Sequence, residues 1–122
     1  MTTVTVRLAD GSTVEVDEPS WCCADHSLPV GHPTEVVHEG PETALTVQTM
    51  QGPHRLLSVA LEQAPLSAID RSVKAVVDVG GHFAGFDPQG LRALAAGLVV
   101  HAGQLRDLAA ALARLRAEED AR

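Results

Sequence analysis

Residues 73–91, VKAVVDVGGHFAGFDPQGL, carry the chain from the two-residue period of a strand to the 3.6-residue period of a helix. Val73 to Val79 is strongly β-prone, Gly80-Gly81 tolerates the positive φ of a tight reversal, and His82 to Phe86 returns as a short second arm. Asp87-Pro88 then starts a helix. The aspartate can accept from the orphan amides of the first turn, and proline at the first helical position lacks only an N–H that would have no partner there. From this point Leu91, Leu94, Leu98, His101, Leu105, Leu108, Leu112 and Leu115 recur at steps of three and four, which predicts one long helix over 88–118. Gly97 and Gly103 each weaken it by ~1 kcal/mol relative to alanine, and Gly103 is where it would bend. Glu118, Glu119 and Asp120 oppose the dipole at the C-terminal end, so the last turn is expected to fray.

Upstream, the period is two. Val4, Val6 and Leu8 alternate with Thr3, Thr5 and Arg7, and Val14 and Val16 repeat the pattern after Asp10-Gly11, a hairpin signal over 3–17. Pro19, Pro29, Pro33 and Pro41 exclude a long regular element from 19–42 and leave a folded loop. Leu45, Val47 and Thr49 resume the alternation, Gly52-Pro53 turns, and Leu57, Val59 and Leu61 answer, so 43–86 reads as further hairpins. The chain as a whole, 1–122, reads as a single α+β domain: an antiparallel meander of about five or six strands in one layer, packed against one long C-terminal helix in the other. Its core must be Val, Leu and Ala, with Trp21, Phe83 and Phe86 as the few large anchors.

A net charge of −7 repels phosphate backbones, and no Lys/Arg run overcomes it locally, so nucleic acid is not an expected partner. No stretch approaches the ~18 apolar residues of a membrane span, and the alternating N-terminus lacks a secretory h-region. No membrane partner is expected, and the chain is expected to be cytoplasmic. Cys22 and Cys23 are adjacent, so a bond between them would staple nothing. Free thiols or metal ligation remain for them.

Residues 21–40, WCCADHSLPVGHPTEVVHEG, hold both cysteines, the single tryptophan and three of the six histidines. Thiolate and imidazole are the donors zinc prefers, and a structural site takes four. One cysteine, His26 and His38, with Glu35, His32 or the other cysteine as the fourth, meets that requirement and would hold a proline-punctuated loop still. No CxxC knuckle or HxxxH helix pair accompanies them. The competing reading is that Trp21 and a buried cysteine plug the sheet edge while the histidines make loop hydrogen bonds. A third is a Cys22 or Cys23 thiolate activated by His26, although no oxyanion element adjoins it. His54 and His82 fall in or beside turns, and no phosphate loop, paired-carboxylate arrangement or dinucleotide fingerprint is present.

Pro19-x-Trp21-Cys22, His26, Glu35-x-x-His38-x-Gly40, the Val73–Val79 strand and the Asp87-Pro88 start of an Ala- and Leu-rich helix together resemble a family of small actinobacterial proteins classed as a domain of unknown function. The resemblance implies Cys22 in preference to Cys23, with His26 and His38 as the histidines of interest and Glu35 as the acid that precedes the second. It implies no activity. The resulting candidate metal set is Cys22, His26, Glu35 and His38, with zinc as the candidate ion.

A helix of about 30 residues is ~45 Å long, whereas a strand of six or seven spans ~20 Å. The sheet cannot cover such a helix, so a homodimer through its leucine seam is expected; the competing reading is a bend at Gly103 that folds the helix into a two-helix cap over its own sheet. The functional expectation is a non-enzymatic, self-associating interaction module whose loop is a structural or metal-held platform for a protein partner. The alternative is a small metal- or thiol-dependent, hydrolase-like enzyme using Cys22, His26 and His38.

Overall fold

Valine at alternate positions makes β1 (Thr2–Arg7) and β2 (Thr13–Glu18) one-sided, and they pair antiparallel with Val4 opposite Val16 and Val6 opposite Val14. The turn between them uses Gly11 at φ +88, and the Asp10 carboxylate accepts from both the Ser12 amide (2.9 Å) and its hydroxyl (2.5 Å). This hairpin is a two-stranded sheet of its own and does not join the larger one. Its free edge is taken by the loop: Val30 donates to the Arg7 carbonyl (3.0 Å) and accepts from the Ala9 amide (2.8 Å). Val6, Val16 and Val36 are buried against one another, with Val4, Val14, Val30 and Leu66 packed around them. The 19–42 loop is therefore fastened to the hairpin by side chains as well as backbone.

The structure, a computed structural model, describes residues 2–122. Within the loop, Pro33–Glu35 forms a single 3-10 turn and His38–Glu39 forms a short strand, β3. The second sheet is built on β5 (Gly52–Gln63), whose length of 12 residues lets one edge serve two partners. β3 pairs with its far end, His38 opposite Gln63, and β4 (Thr43–Thr49) pairs with the rest. β6 (Lys74–Val79) lies on the other edge, followed by β7 (His82–Phe86). Gly52, Gly80 and Gly81 adopt positive φ at the two reversals, as the hairpin reading requires.

Pro88–Asp120 is one continuous helix, α1, of 33 residues, unbroken at Gly97 and Gly103 and two residues longer than the sequence predicts. An i,i+4 pair between Arg114 and Glu118 (3.3 Å) supports the last turns against the dipole. By compactness the strands up to Asp87 form one unit and Pro88–Arg122 another. Antiparallel hairpins followed by a single C-terminal helix make the protein α+β, as expected. Phe83 does not act as a core anchor: it is 73% exposed, because it points to the face of the sheet opposite Ala75 and Val77, the two buried residues of β6. Valines do most of the burying instead.

Candidate metal centre

β2 ends at Glu18, and Pro19 prevents the strand from continuing. The chain turns at once, with the Cys22 amide donating to the Pro19 carbonyl (3.0 Å), which returns residue 22 toward residue 18. The Cys23 amide then donates to the Glu39 carbonyl (2.7 Å), tying the Trp-Cys-Cys segment to β3. Gly40 lies beneath Trp21: a Cβ there would meet the Trp21 carbonyl oxygen and ring at 3.5 Å and Leu61 at 3.4 Å. His26 is set by a local turn in which Asp25 accepts from the Ser27 amide (3.0 Å) and hydroxyl (2.5 Å). These Ser27 bonds, the hydroxyl's first, hold the Asp25 carboxyl below the usual range.

The result brings Glu18, Cys22, His26 and His38 together, with all donor atoms within 4.8 Å of one another, the one such group among the described residues. Cys22 Sγ lies 3.6 Å from His26 Nε2, His26 Nε2 lies 3.1 Å from Glu18 Oε2, and His38 Nδ1 lies 3.3 Å from Glu18 Oε1. Bond lengths of about 2.0–2.3 Å around a tetrahedral zinc give ligand–ligand edges of about 3.3–3.6 Å; these three separations lie close to that, and the remaining ones are within 4.8 Å. The two imidazoles meet edge to face at 5.4 Å between centroids, and Trp21 stands edge-on to His38 at 6.3 Å.

Burial grades across the group. The His38 side chain is 1% exposed, His26 10% and Glu18 23%. His38 Nδ1 is within ion-pair distance of Glu18, but the approach lacks hydrogen-bond geometry, and neither sealed ring nitrogen of His38 makes a hydrogen bond. Burial works to raise the Glu18 pKa, yet the Cys22 thiol bonded to it and the charges of His26 and His38 together hold it below the usual carboxylate value. Burial, followed by the bond to Glu18, pushes the Cys22 thiol up. The four side chains form a group able to hold a metal ion.

Three of the residues expected from sequence, Cys22, His26 and His38, are in this group. Glu35 is not: in the 3-10 turn its Oε2 accepts from the Gly31 amide (2.8 Å), so its carboxylate closes a loop. His32 is exposed and caps the same turn through Thr34. Cys23 is exposed. Glu18, the last residue of β2 and not among the residues expected from sequence, is the fourth member of the group. The signal was present in Glu18-Pro19-x-x-Cys22, since a turn over Pro19–Cys22, closed by the Cys22 amide on the Pro19 carbonyl, returns Cys22 to the residue before the proline. Glu18→Gln is expected to weaken zinc binding by more than about tenfold, whereas Glu35→Gln leaves it unchanged, as read by competition with a chromogenic chelator.

No curated protein and no solved structure matches the chain. A family match does extend over residues 2–114, taking in all four donors, both sheets and most of α1, and the chain belongs to that family, described as Domain of unknown function (DUF6907).

Proposed function

We propose that this protein is a cytoplasmic, non-enzymatic interaction module that self-associates through α1. In this reading zinc on Glu18, Cys22, His26 and His38 holds the loop between β2 and β4 as a rigid platform for another protein. The observation that carries this is His38. An imidazole sealed from water with both nitrogens unpaired costs on the order of 1–3 kcal/mol for each orphaned group, and a metal bond relieves that cost at one of them. Two imidazoles and a thiol select zinc over calcium or magnesium. Four protein donors fill a tetrahedron, which is the signature of a structural site. A thiol raised by burial is also the reverse of an activated nucleophile.

The exposed seam of α1 supports the self-association: Leu98, Leu105, Leu108, Leu112 and Leu115 are all between 43% and 65% exposed. Cytoplasmic thiols stay reduced, which suits a cysteine ligand.

A second reading has one observation in its favour. A cleft of about 690 Å³ adjoins the site, with Trp21, His38, Gln63, Leu66 and Val73 among its lining residues. A hydrolase-like enzyme would use Cys22, His26 and His38 as ligands, leave Glu18 free as a base, and bind substrate there. Native mass spectrometry of protein purified without chelator, joined to cobalt substitution, separates the two. The module predicts a dimer with one zinc per chain and a cobalt spectrum indifferent to azide. A spectrum that azide changes indicates an open coordination position and favours the enzyme; a metal-free protein that refuses added zinc overturns both metal readings.

A further inference from the structure

We infer that the outer edge of β2 takes up a strand from a partner protein, one that alternates apolar residues with lysine or arginine; this rests on the platform reading above and names the partner's chemistry. Hydrogen-bonded pairs alternate along an antiparallel ladder. Leu8 donates to the Ser12 carbonyl (2.8 Å), one register step beyond Arg7 and Thr13, so Val6 with Val14 and Val4 with Val16 are the bonded pairs. Thr13, Glu15 and Asp17 therefore turn their amides and carbonyls away from β1. The matching outward row of β1 is the edge that the loop takes, where Arg7 and Ala9 bond to Val30. The row on β2 has no strand beside it, and among the described residues no hydrogen bond reaches the outward backbone groups of Glu15 or Asp17.

An unpaired edge is not by itself a site, since proteins commonly leave short charged edges open. This one runs along the cleft of about 690 Å³, whose lining joins Glu15, Val16 and Asp17 to Trp21, His38 and Leu66. His38, sealed and with both ring nitrogens unpaired, thus belongs to the cleft as well as to the donor group. Charge decides what fits. The lining includes two carboxylates and no lysine or arginine. Among the described residues no ion pair engages Glu15 or Asp17: Arg7, opposite Thr13, donates to the Ser27 carbonyl (3.4 Å), Arg71 to the Ser67 carbonyl (2.8 Å), and Lys74 pairs with Asp70 (3.5 Å). A second copy of the edge is a poor occupant, because antiparallel pairing about Glu15 sets it against the copy's Glu15, and like charges directly opposed are destabilising. A basic strand reverses that sign. Its side chains would alternate between the face that holds Val16 and Leu66 and the face that holds Glu15 and Asp17. Backbone bonds then supply affinity and the two faces supply sequence preference.

The test selects a displayed library of random peptides, about nine residues long, against the full chain and titrates the enriched sequences. Enrichment of alternating apolar and basic residues, with shifts of the Thr13, Glu15 and Asp17 amide signals, supports the inference. N-methylation of alternate peptide amides keeps the side chains and removes strand bonds, and is expected to weaken binding by at least about tenfold. E15K/D17K is expected to weaken it by a similar factor with an unchanged melting curve, since both residues are exposed and lie opposite Thr5 and Thr3. A selection that enriches nothing, or binding indifferent to N-methylation or to E15K/D17K, overturns strand addition at this edge. Peptides that shift β4, β7 or α1 instead overturn the site and leave the platform reading standing. Cleavage of a peptide bound at the edge overturns the non-enzymatic reading and keeps the edge as the binding surface.

Discussion

His38→Ala is expected to abolish stoichiometric zinc binding and to lower the melting temperature of the zinc-loaded protein by roughly 10–20 °C. A ligand present at a thousandfold its dissociation constant stabilises by about 4 kcal/mol, and each kcal/mol moves the midpoint of a domain this size by several degrees. The residue is the right one to test because it reports on two links at once. Its backbone is part of β3, paired with Gln63, and its ring is the most deeply buried member of the donor group. Alanine keeps the strand and removes the ring, so it also leaves a cavity where the imidazole packed against Trp21. Chelator separates these effects: metal-stripped wild type loses the zinc contribution and keeps the ring. The expected order of midpoints is zinc-loaded wild type, then stripped wild type, then His38→Ala, with the variant indifferent to chelator. A wild-type curve that chelator does not move removes the metal from the account of this loop. His32→Ala is the companion control, since His32 is exposed and its bonds stay within one turn.

Some of this was legible in the residues alone and some was not, for different physical reasons. Asp10-Gly11 and Gly80-Gly81 announce reversals because Gly11, Gly80 and Gly81 adopt backbone angles that other residues avoid. Asp87-Pro88 announces a helix because proline there loses no hydrogen bond. Such signals are local, and local signals survive in a sequence. Cys22, His26 and His38 stood out by residue type, which locates a candidate site without its geometry. Glu18 was hidden because nothing in its immediate neighbours distinguishes it from any strand-ending acid; its place in the donor group depends on the turn at Pro19 and on the bond from Cys23 to Glu39, 16 positions away along the chain. Glu35 lies outside the group for the complementary reason. Its spacing of three from His38 looks like a shared face, but the segment between them is a 3-10 turn running into a strand, so the two side chains diverge. The separate β1–β2 sheet was likewise not readable, because the edge it offers is filled by Val30 from within a proline-rich loop.

The second large effect is expected at α1. On the self-association proposed above, Leu108→Glu together with Leu112→Glu is expected to convert the dimer to a monomer. A pair of chains joined at this seam loses four leucines, each 53–65% exposed in the single chain; since full burial of a leucine is worth about 1.5–3 kcal/mol, the loss is about 3–7 kcal/mol, or roughly 10²–10⁵ in the dissociation constant. Four carboxylates that cannot be solvated in the seam add to it. Glutamate is nearly as good a helix former as leucine, so the helix itself is not broken by the change, and any fall in helical content measures what association had contributed. Ala110→Glu with Ala117→Glu adds the same charge to the same helix on its outer side and is expected to leave the dimer intact, which separates loss of the seam from simple repulsion. Should both double variants dissociate alike, the leucine seam would lose its claim; if only the seam variant does, the exposed leucines of α1 are the surface where one chain meets the next.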